Sequence, residues 1–498
     1  MAFDQTSQKP LAVIVIGTGF SGLGMAVGLK KAGIEDFVVL ERAESVGGTW
    51  RDNHYPGCAC DVQSHLYSFS FAPNPEWTRM YARQPEIEAY LKKTANQYDL
   101  LRHVRFGANV VQARYDDAKA LWQVSTADGR VFVGSVVVSG MGGLSNPAYP
   151  KLPGLENFKG KAFHSATWDH SYDLAGKRVA VIGTGASAIQ FVPQIAGQVA
   201  QLDLYQRTPP WIVPKPDRPI SESERRWFKR LPILQRLFRA GIYCAMETRV
   251  LGFVLNPKLM LLVQKLARSH IHRQVKDPVL RKKVTPDYTI GCKRVLISND
   301  YYPALTRANV DVVTDAIKEV RAHSIVTADG VERPIDAIIY GTGFSIQTMI
   351  PRGTIFGRNG QDLLDLWTEG PQAYLGAAVA GFPNLFMLMG PNTGLGHTSQ
   401  VYMIESQIRY VLDCLQTMRR RKLRAVEVRR EVYDRFNAGL QRQLTGTVWA
   451  SGCKSWYVND SGRNTTLWPG FTFLFRSKTR HFKPAEYVLE PMTRTVKA

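Results

Sequence analysis

Two glycine-rich turns in one chain constrain this sequence more than any other feature. The first is Gly17-Thr18-Gly19-Phe20-Ser21-Gly22, and the second is Gly183-Thr184-Gly185-Ala186-Ser187-Ala188. Each follows an apolar strand (LAVIVIG, RVAVIG) and precedes a helical stretch and a second strand (DFVVLE, LDLYQR). In such a βαβ unit the glycines permit a tight turn, let the backbone approach a pyrophosphate and bring helix close to sheet. The pyrophosphate then rests on the positive end of the helix. The two units differ at one place: Glu41 stands 24 residues after Gly17, whereas Arg207 stands 24 residues after Gly183. A carboxylate closing the second strand accepts hydrogen bonds from free ribose hydroxyls, and an arginine there pairs with a 2′-phosphate. The first fold is therefore expected to hold an unphosphorylated dinucleotide such as FAD. The second is expected to hold NADPH, with Thr208 adding a hydroxyl beside Arg207.

The expected fold class is α/β, with two Rossmann-like dinucleotide-binding domains and a helical insertion in the NADP domain. Residues 1–145 read as the first part of the FAD-binding domain, in which LWQVSTADGRVFVGSVVVSG resembles a hairpin with a DG turn. Residues 146–176 are rich in Pro and Gly at their start and read as a linker. Residues 177–335 form the NADP-binding domain, with the helical insertion at about 220–285. Residues 336–498, beginning with the apolar strand before Gly341-Thr342-Gly343-Phe344, are expected to return to the flavin-binding sheet and add a C-terminal segment.

Residues 11–29 carry no charge, but five glycines and the βαβ context make them a buried strand, loop and helix, not a membrane segment. A soluble cytoplasmic protein is expected. The six cysteines (Cys58, Cys60, Cys244, Cys292, Cys414 and Cys453) show no metal spacing and are expected to be reduced, mostly structural thiols. No metal is expected. The net charge of +21 comes without a nucleic-acid recognition motif, so no nucleic-acid partner is expected. Part of that charge can attract anionic NADPH. Basic residues through 225–283 alternate with aromatic and aliphatic ones (RRWFKRLPILQRLFRAGIY). Such a stretch packs onto the core or lines a substrate entrance; the alternative is peripheral contact with a membrane surface, without integral insertion.

Between the two folds, Phe158-Lys159-Gly160-Lys161-Ala162-Phe163-His164-Ser165-Ala166-Thr167-Trp168-Asp169 matches every fixed position of the F-x-G-x-x-x-H-x-x-x-W-[PD] fingerprint of type I Baeyer–Villiger monooxygenases. The chain resembles that family along nearly its whole length. Val46-Gly47-Gly48-Thr49-Trp50, Tyr55-Pro56-Gly57, Cys60-Asp61, Cys292-Lys293-Arg294 and Gly381-Phe382-Pro383-Asn384-Leu385-Phe386 also match.

The resemblance implies an FAD- and NADPH-dependent enzyme that uses O2 to insert one oxygen atom next to a ketone carbonyl, through a flavin C4a-peroxide, giving an ester or lactone. It assigns the fixed positive charge of the site to Arg294, oriented by Asp61. Lys293 is assigned to the 2′-phosphate beside Arg207 and Thr208. On an extended segment Lys293 and Arg294 would point to opposite sides. The cofactor-binding set is Gly17, Gly19, Phe20, Gly22, Glu41, Gly48, Thr49, Trp50, Asp61, Gly183, Gly185, Ser187 and Ala188, with Trp456 on a loop closing over the nicotinamide. Phe158, Gly160, His164, Trp168 and Asp169 are expected to act on domain orientation and not in the chemistry. After Trp456 the chain runs VNDSGRNTTLWPG, unlike the cyclohexanone-type pattern, which leaves the ketone open.

Three other readings compete. A flavin-containing monooxygenase acting on amines or sulfides shares both turns but usually lacks the W-D ending and the arginine at position 294. A plain flavin reductase or disulfide reductase needs a redox cysteine pair, which is absent. A basic nucleotide-fold protein without chemistry would purify colourless.

Overall fold

The computed structural model describes residues 9–345 and 350–492. Residues 1–8, 346–349 and 493–498, which the expected segments 1–145 and 336–498 include, lie outside the described residues. The α/β class with two Rossmann-like sheets is observed. In the first sheet the strand Leu11–Ile16 lies between Phe37–Leu40 and Val131–Ser139, parallel to both. Val110–Asp116 and Leu121–Thr126 extend the sheet antiparallel from Val131–Ser139, so the hairpin around Asp128-Gly129 forms as expected. The central strands are short runs of Val, Ile and Leu buried on both faces, which is the pattern of a parallel sheet covered by helices.

The second sheet has five strands, all parallel: Val310–Val313, Gln201–Tyr205, Arg178–Ile182, Ala337–Tyr340 and Lys161–His164. Two expectations are corrected here. Ala337–Tyr340, expected to return to the flavin sheet, instead pairs with Arg178–Ile182. The Asp336 carboxylate before it accepts from the Arg178 backbone N–H at 2.8 Å and locks that register. Residues 161–164, expected within a linker, form the edge strand of the same sheet. The chain rejoins the first sheet later, through Ile355–Phe356 and Leu385–Met387.

The insertion is helical, as expected: Glu222–Arg230, Pro232–Glu247, Met260–Gln274 and Pro278–Val284. Ser221 opens it with a reciprocal cap. Its hydroxyl accepts from the Glu224 N–H at 3.2 Å, and the Glu224 carboxylate accepts from the Ser221 N–H at 2.8 Å. The inner side of Pro232–Glu247 is fastened to the first unit: Gln235 donates to Asn74 O at 2.7 Å, and Arg239 donates to His65 O at 2.6 Å and Ser68 O at 2.9 Å. No single helix among the described residues is long and apolar enough to cross a membrane.

Close approach explains two glycines. A Cβ at Gly22 would lie 1.7 Å from Gly17 O, and one at Gly183, where φ is +105°, would lie 2.5 Å from Gly341 O. Gly22→Ala must displace backbone and is expected to cost roughly 3 kcal/mol, the upper end for overpacked sites. Gly241→Ala, in a helix with open space around it, is expected to stabilise by roughly 0.5–1 kcal/mol. Denaturant midpoints of the two variants check this; comparable stability would refute the steric account of the first turn.

Candidate active site

Both glycine turns present an unfilled helix end. The helix Phe20–Lys31 starts after Gly19 with no side-chain cap and no acid in its first turn. Ala188–Ile195 starts after Ser187 in the same way. Uncapped N–H groups in a field that favours anions make both ends suited to a pyrophosphate. Gly19 and Gly48 approach each other, since a Cβ on Gly48 would lie 2.9 Å from Gly19 Cα. The Gly47 N–H donates to Thr18 O at 3.1 Å. Thr49 and Trp50 thereby begin a short helix beside the first turn, and the Trp50 indole donates to the Tyr67 hydroxyl at 3.1 Å. Phe20 packs edge-on against Tyr67, with ring centroids 5.0 Å apart.

Glu41 closes the strand Phe37–Leu40 and is buried. Its carboxylate accepts from the Thr18 N–H at 3.0 Å, the Thr18 hydroxyl at 2.5 Å and the Ala43 N–H at 2.9 Å. Arg51 pairs with it at 3.2 Å. The same carboxylate that is suited to a ribose therefore also ties the first turn to the strand end. A cleft of about 740 Å³ runs past Arg42 and Arg51 toward Trp168 and Phe344.

At the second turn, Gly183 N–H donates to Tyr205 O at 3.1 Å and the Thr184 hydroxyl donates to Thr208 O at 3.1 Å. Gly185 lies near Gly341 O. Arg207 is exposed just beyond the strand, and Lys293 comes close enough to feel its charge. Burial first, and then the Arg207 guanidinium, pull the Lys293 ammonium below its ordinary range. The Lys293 Nζ also sits 4.8 Å over the Tyr288 ring. Among the described residues neither cation forms an ion pair with a carboxylate. Two like charges held together, with Asp287 acting on Lys293 only from beyond ion-pair distance, form a place for a doubly charged phosphate.

Arg294, the next residue, faces the other way. Its Nε donates to Asp61 Oδ2 at 3.0 Å and its Nη2 donates to the same oxygen. The pair is therefore not a two-oxygen fork, and Nη1 stays free of the carboxylate. The neighbouring Asp61 charge raises the guanidinium above its ordinary range. Burial works to raise the Asp61 carboxyl, but Arg294 outweighs it and holds the group below the usual carboxylate range. Each side chain still exposes about a third of its surface, 33% and 31%, so the pair is not sealed from solvent.

Three features around this pair are absent from the expected set. The Tyr457 hydroxyl lies against Arg294, and burial pushes it up to about 12 although the guanidinium opposes that. Lys215 adds a second, part-buried cation near Asp61 and Cys60. Cys292 and Cys453 form a disulfide with Cα atoms 6.2 Å apart, which corrects the expectation of reduced thiols throughout. Its partners are 161 residues apart and meet only because the fold lays the loop around 453 against the segment before Arg294. Trp456 is on that loop, 44% exposed, with its ring 4.5 Å from that of Tyr457. It is Tyr457, not Trp456, that meets the arginine.

The fingerprint residues are structural in their contacts. Gly160 passes so close to Asp336 O that a Cβ would lie 2.3 Å from it, while Phe158 covers the outside of the second sheet. His164 is buried; its Nδ1 accepts from the Ala166 N–H at 3.0 Å, and its Nε2 has no partner. Burial lowers its imidazolium below the ordinary range. Trp168 is wedged edge-on against Phe163 at 5.2 Å and beside Phe191 at 5.3 Å. Asp169 pairs with Lys161 at 2.6 Å and caps Ser171. Phe191 lies on the helix that the segment Tyr55–Cys60 also contacts. Gln190 accepts from the Tyr55 hydroxyl at 2.9 Å and donates to Ala59 O at 3.0 Å.

Residues 9–351 match the family model described as flavin-binding monooxygenase-like. A Baeyer–Villiger monooxygenase of Pseudomonas aeruginosa is 61% identical over 479 residues, 96% of this chain and 91% of that protein. A Baeyer–Villiger monooxygenase of Streptomyces coelicolor is 49% identical over 99% of this chain and 95% of its own length. The crystal structure of cyclohexanone monooxygenase from Rhodococcus sp. Phi1 bound to NADP+ superposes with a TM-score of 0.87 at 30% identity, covering 98% of this chain and all of that one. The chain thus belongs to the flavin-binding monooxygenase-like family, as a member of its Baeyer–Villiger monooxygenases.

Proposed function

We propose that the chain binds FAD at the first glycine turn and NADPH at the second, and with O2 inserts one oxygen atom next to a ketone carbonyl to give an ester or lactone. The observation that carries this reading is the Lys293-Arg294 doublet, whose members face two different sites. The uncapped helix after Gly19 and the buried Glu41 suit a dinucleotide with free ribose hydroxyls. The unpaired Arg207 and Lys293 suit a 2′-phosphate. FAD, when bound, supplies the two-electron and oxygen chemistry, and NADPH supplies the hydride.

The chain's own part is electrostatic. Arg294 presents a charge that no working pH removes, next to the negative charge that develops on the substrate oxygen. Asp61 orients the guanidinium without covering Nη1. Tyr457 closes one side of the group and excludes water from it. Because burial keeps Tyr457 protonated, its hydroxyl can donate to an oxygen and does not compete with Asp61 as a counter-charge. The residues of the fingerprint hold the second sheet against residues 55–61 and keep Asp61 in reach of Arg294. We infer a FAD-binding unit of about residues 9–145 and 350–492 and an NADPH-binding unit of about 158–345, following the sheet that each strand joins. A cytoplasmic location, where NADPH is regenerated, goes with this reading.

Arg294→Ala is expected to leave NADPH-driven bleaching of the flavin within a few-fold of the parent, while ester formation falls by roughly 10²–10³. Stopped-flow absorbance reads the first and product mass the second; an unchanged ester yield would remove Arg294 from the chemistry. Arg207→Ala and Lys293→Ala are each expected to lower kcat/KM for NADPH by about tenfold or more, as for a lost charge-assisted hydrogen bond, with little change for NADH. Equal losses for the two cofactors would show that these residues do not read the 2′-phosphate.

A further inference from the structure

The helical insertion carries a surface that the reaction does not use. The inner side of Pro232–Glu247 is bonded to residues 65–74, but its outer side is apolar and open: Ile233, Leu237, Ala240, Gly241 and Cys244 are all exposed. These positions recur at helical spacing, so they form one stripe and not scattered residues. The stripe continues around a corner. Pro232–Leu255 and Pro257–Gln274 meet at 115°, with Leu255 (63% exposed) at the bend and Leu262 (69%) and Leu266 beyond it. Phe473 and Leu474 are also exposed, on the helix Thr472–Lys478. That helix is anchored beside the stripe by Thr472, whose N–H and hydroxyl donate to Glu247 at 2.9 and 2.7 Å.

Charge surrounds this apolar face. Residues 225–276 contain twelve Lys and Arg and a single acid, Glu247, which is buried. Arg226, Lys229, Arg230 and Arg236 flank one arm, and Lys258 and Lys265 flank the other, all exposed. We propose that this face docks the enzyme peripherally onto a bilayer containing anionic lipid, with the leucines in the acyl boundary and the bases among the headgroups.

The geometry separates docking from spanning. The arm Pro232–Leu255 carries Arg236, Arg239, Glu247 and Arg249, too many charges for a hydrocarbon core, and the corner then turns the chain aside. The charge separates lipid from a second copy of the chain. A twofold contact sets the same patch against itself, and here that would oppose two predominantly basic rims, in which Glu76 offsets Lys229 but leaves Arg226, Arg230, Arg236, Lys258 and Lys265 without an ion-pair partner among the described residues. An anionic surface pairs with every base at once, while exposed leucines are rewarded only by an apolar phase.

The test is co-sedimentation of the FAD-loaded enzyme with vesicles of phosphatidylglycerol and phosphatidylcholine, or of phosphatidylcholine alone. Binding is expected with the anionic vesicles, about tenfold or more weaker without phosphatidylglycerol, and lost as salt is raised. Arg226→Gln, Lys229→Gln and Arg230→Gln are each expected to weaken it by about fivefold. The double variant Leu255→Glu/Leu262→Glu is expected to lose vesicle binding while turning over a water-soluble ketone at the parental rate. Failure to bind anionic vesicles at low salt, or equal binding by the double variant, overturns the proposal. So does a parental dimer, seen by light scattering, that the double variant dissolves, since it would assign the face to a second copy.

Discussion

The distance between the two nucleotide folds is set by the packing of residues 55–60 on the helix Ala188–Ile195, and the rest of the site depends on it. Gly57 touches that helix so closely that a Cβ would lie 2.6 Å from Gln190 O. The Gln190 side chain then takes the Tyr55 hydroxyl and the Ala59 N–H and returns a hydrogen bond to Ala59 O. Asp61 follows directly in the chain, so whatever fixes this segment fixes the carboxylate. Arg294 is held in turn by that carboxylate. Removing one member of a fully buried pair costs about 3–5 kcal/mol; here, with a third of each side chain exposed, the penalty is smaller and the geometric role matters more.

The fingerprint acts on the same helix, at Phe191, which Tyr55 also touches. Trp168 lies against Phe191, one residue from Gln190, and Gly160 lets its strand approach Asp336, the residue that registers Arg178. Histidine and tryptophan at these positions therefore do not need to touch a substrate to matter. His164 is buried with one nitrogen unbonded, in contact with Tyr149 and Phe344, at the edge where the second sheet meets the segment leading back to the first.

What was legible in the sequence followed the range of each interaction. The turns, the Glu41 and Arg207 positions and the Asp128-Gly129 hairpin are local patterns, and all sit at the expected places in the fold. The sheet that Ala337–Tyr340 joins was not legible, because a four-residue apolar strand fits either sheet equally well. Its place is fixed by contacts distant in sequence, among them the Asp336–Arg178 pair, 158 residues apart. The strand 161–164 was hidden for a similar reason: the Pro- and Gly-rich residues before it read as a linker, and four residues are too few to show a period. In the Lys454–Tyr457 stretch, resemblance drew attention to the tryptophan, whereas the fold turns the tyrosine to Arg294.

The Cys292–Cys453 bond accounts for that last difference. One residue separates Cys292 from Arg294, and three separate Cys453 from Tyr457. The cross-link therefore joins two short segments immediately beside the groups that meet. It removes most of the freedom that a loop between Thr447 and Tyr457 would have, and the chain pays less to bring the hydroxyl to the guanidinium. Trp456 lies in the turn closed by the Val458 N–H on Ser455 O at 3.2 Å, and it stays exposed while its ring rests 4.5 Å from that of the buried Tyr457. The tether thus couples the C-terminal loop to the residue that carries the fixed charge. Asp61 fixes that charge from the first fold, Cys292 fixes its backbone, and Tyr457 closes it from a third segment, so Arg294 is held by three parts of the chain that no local pattern relates.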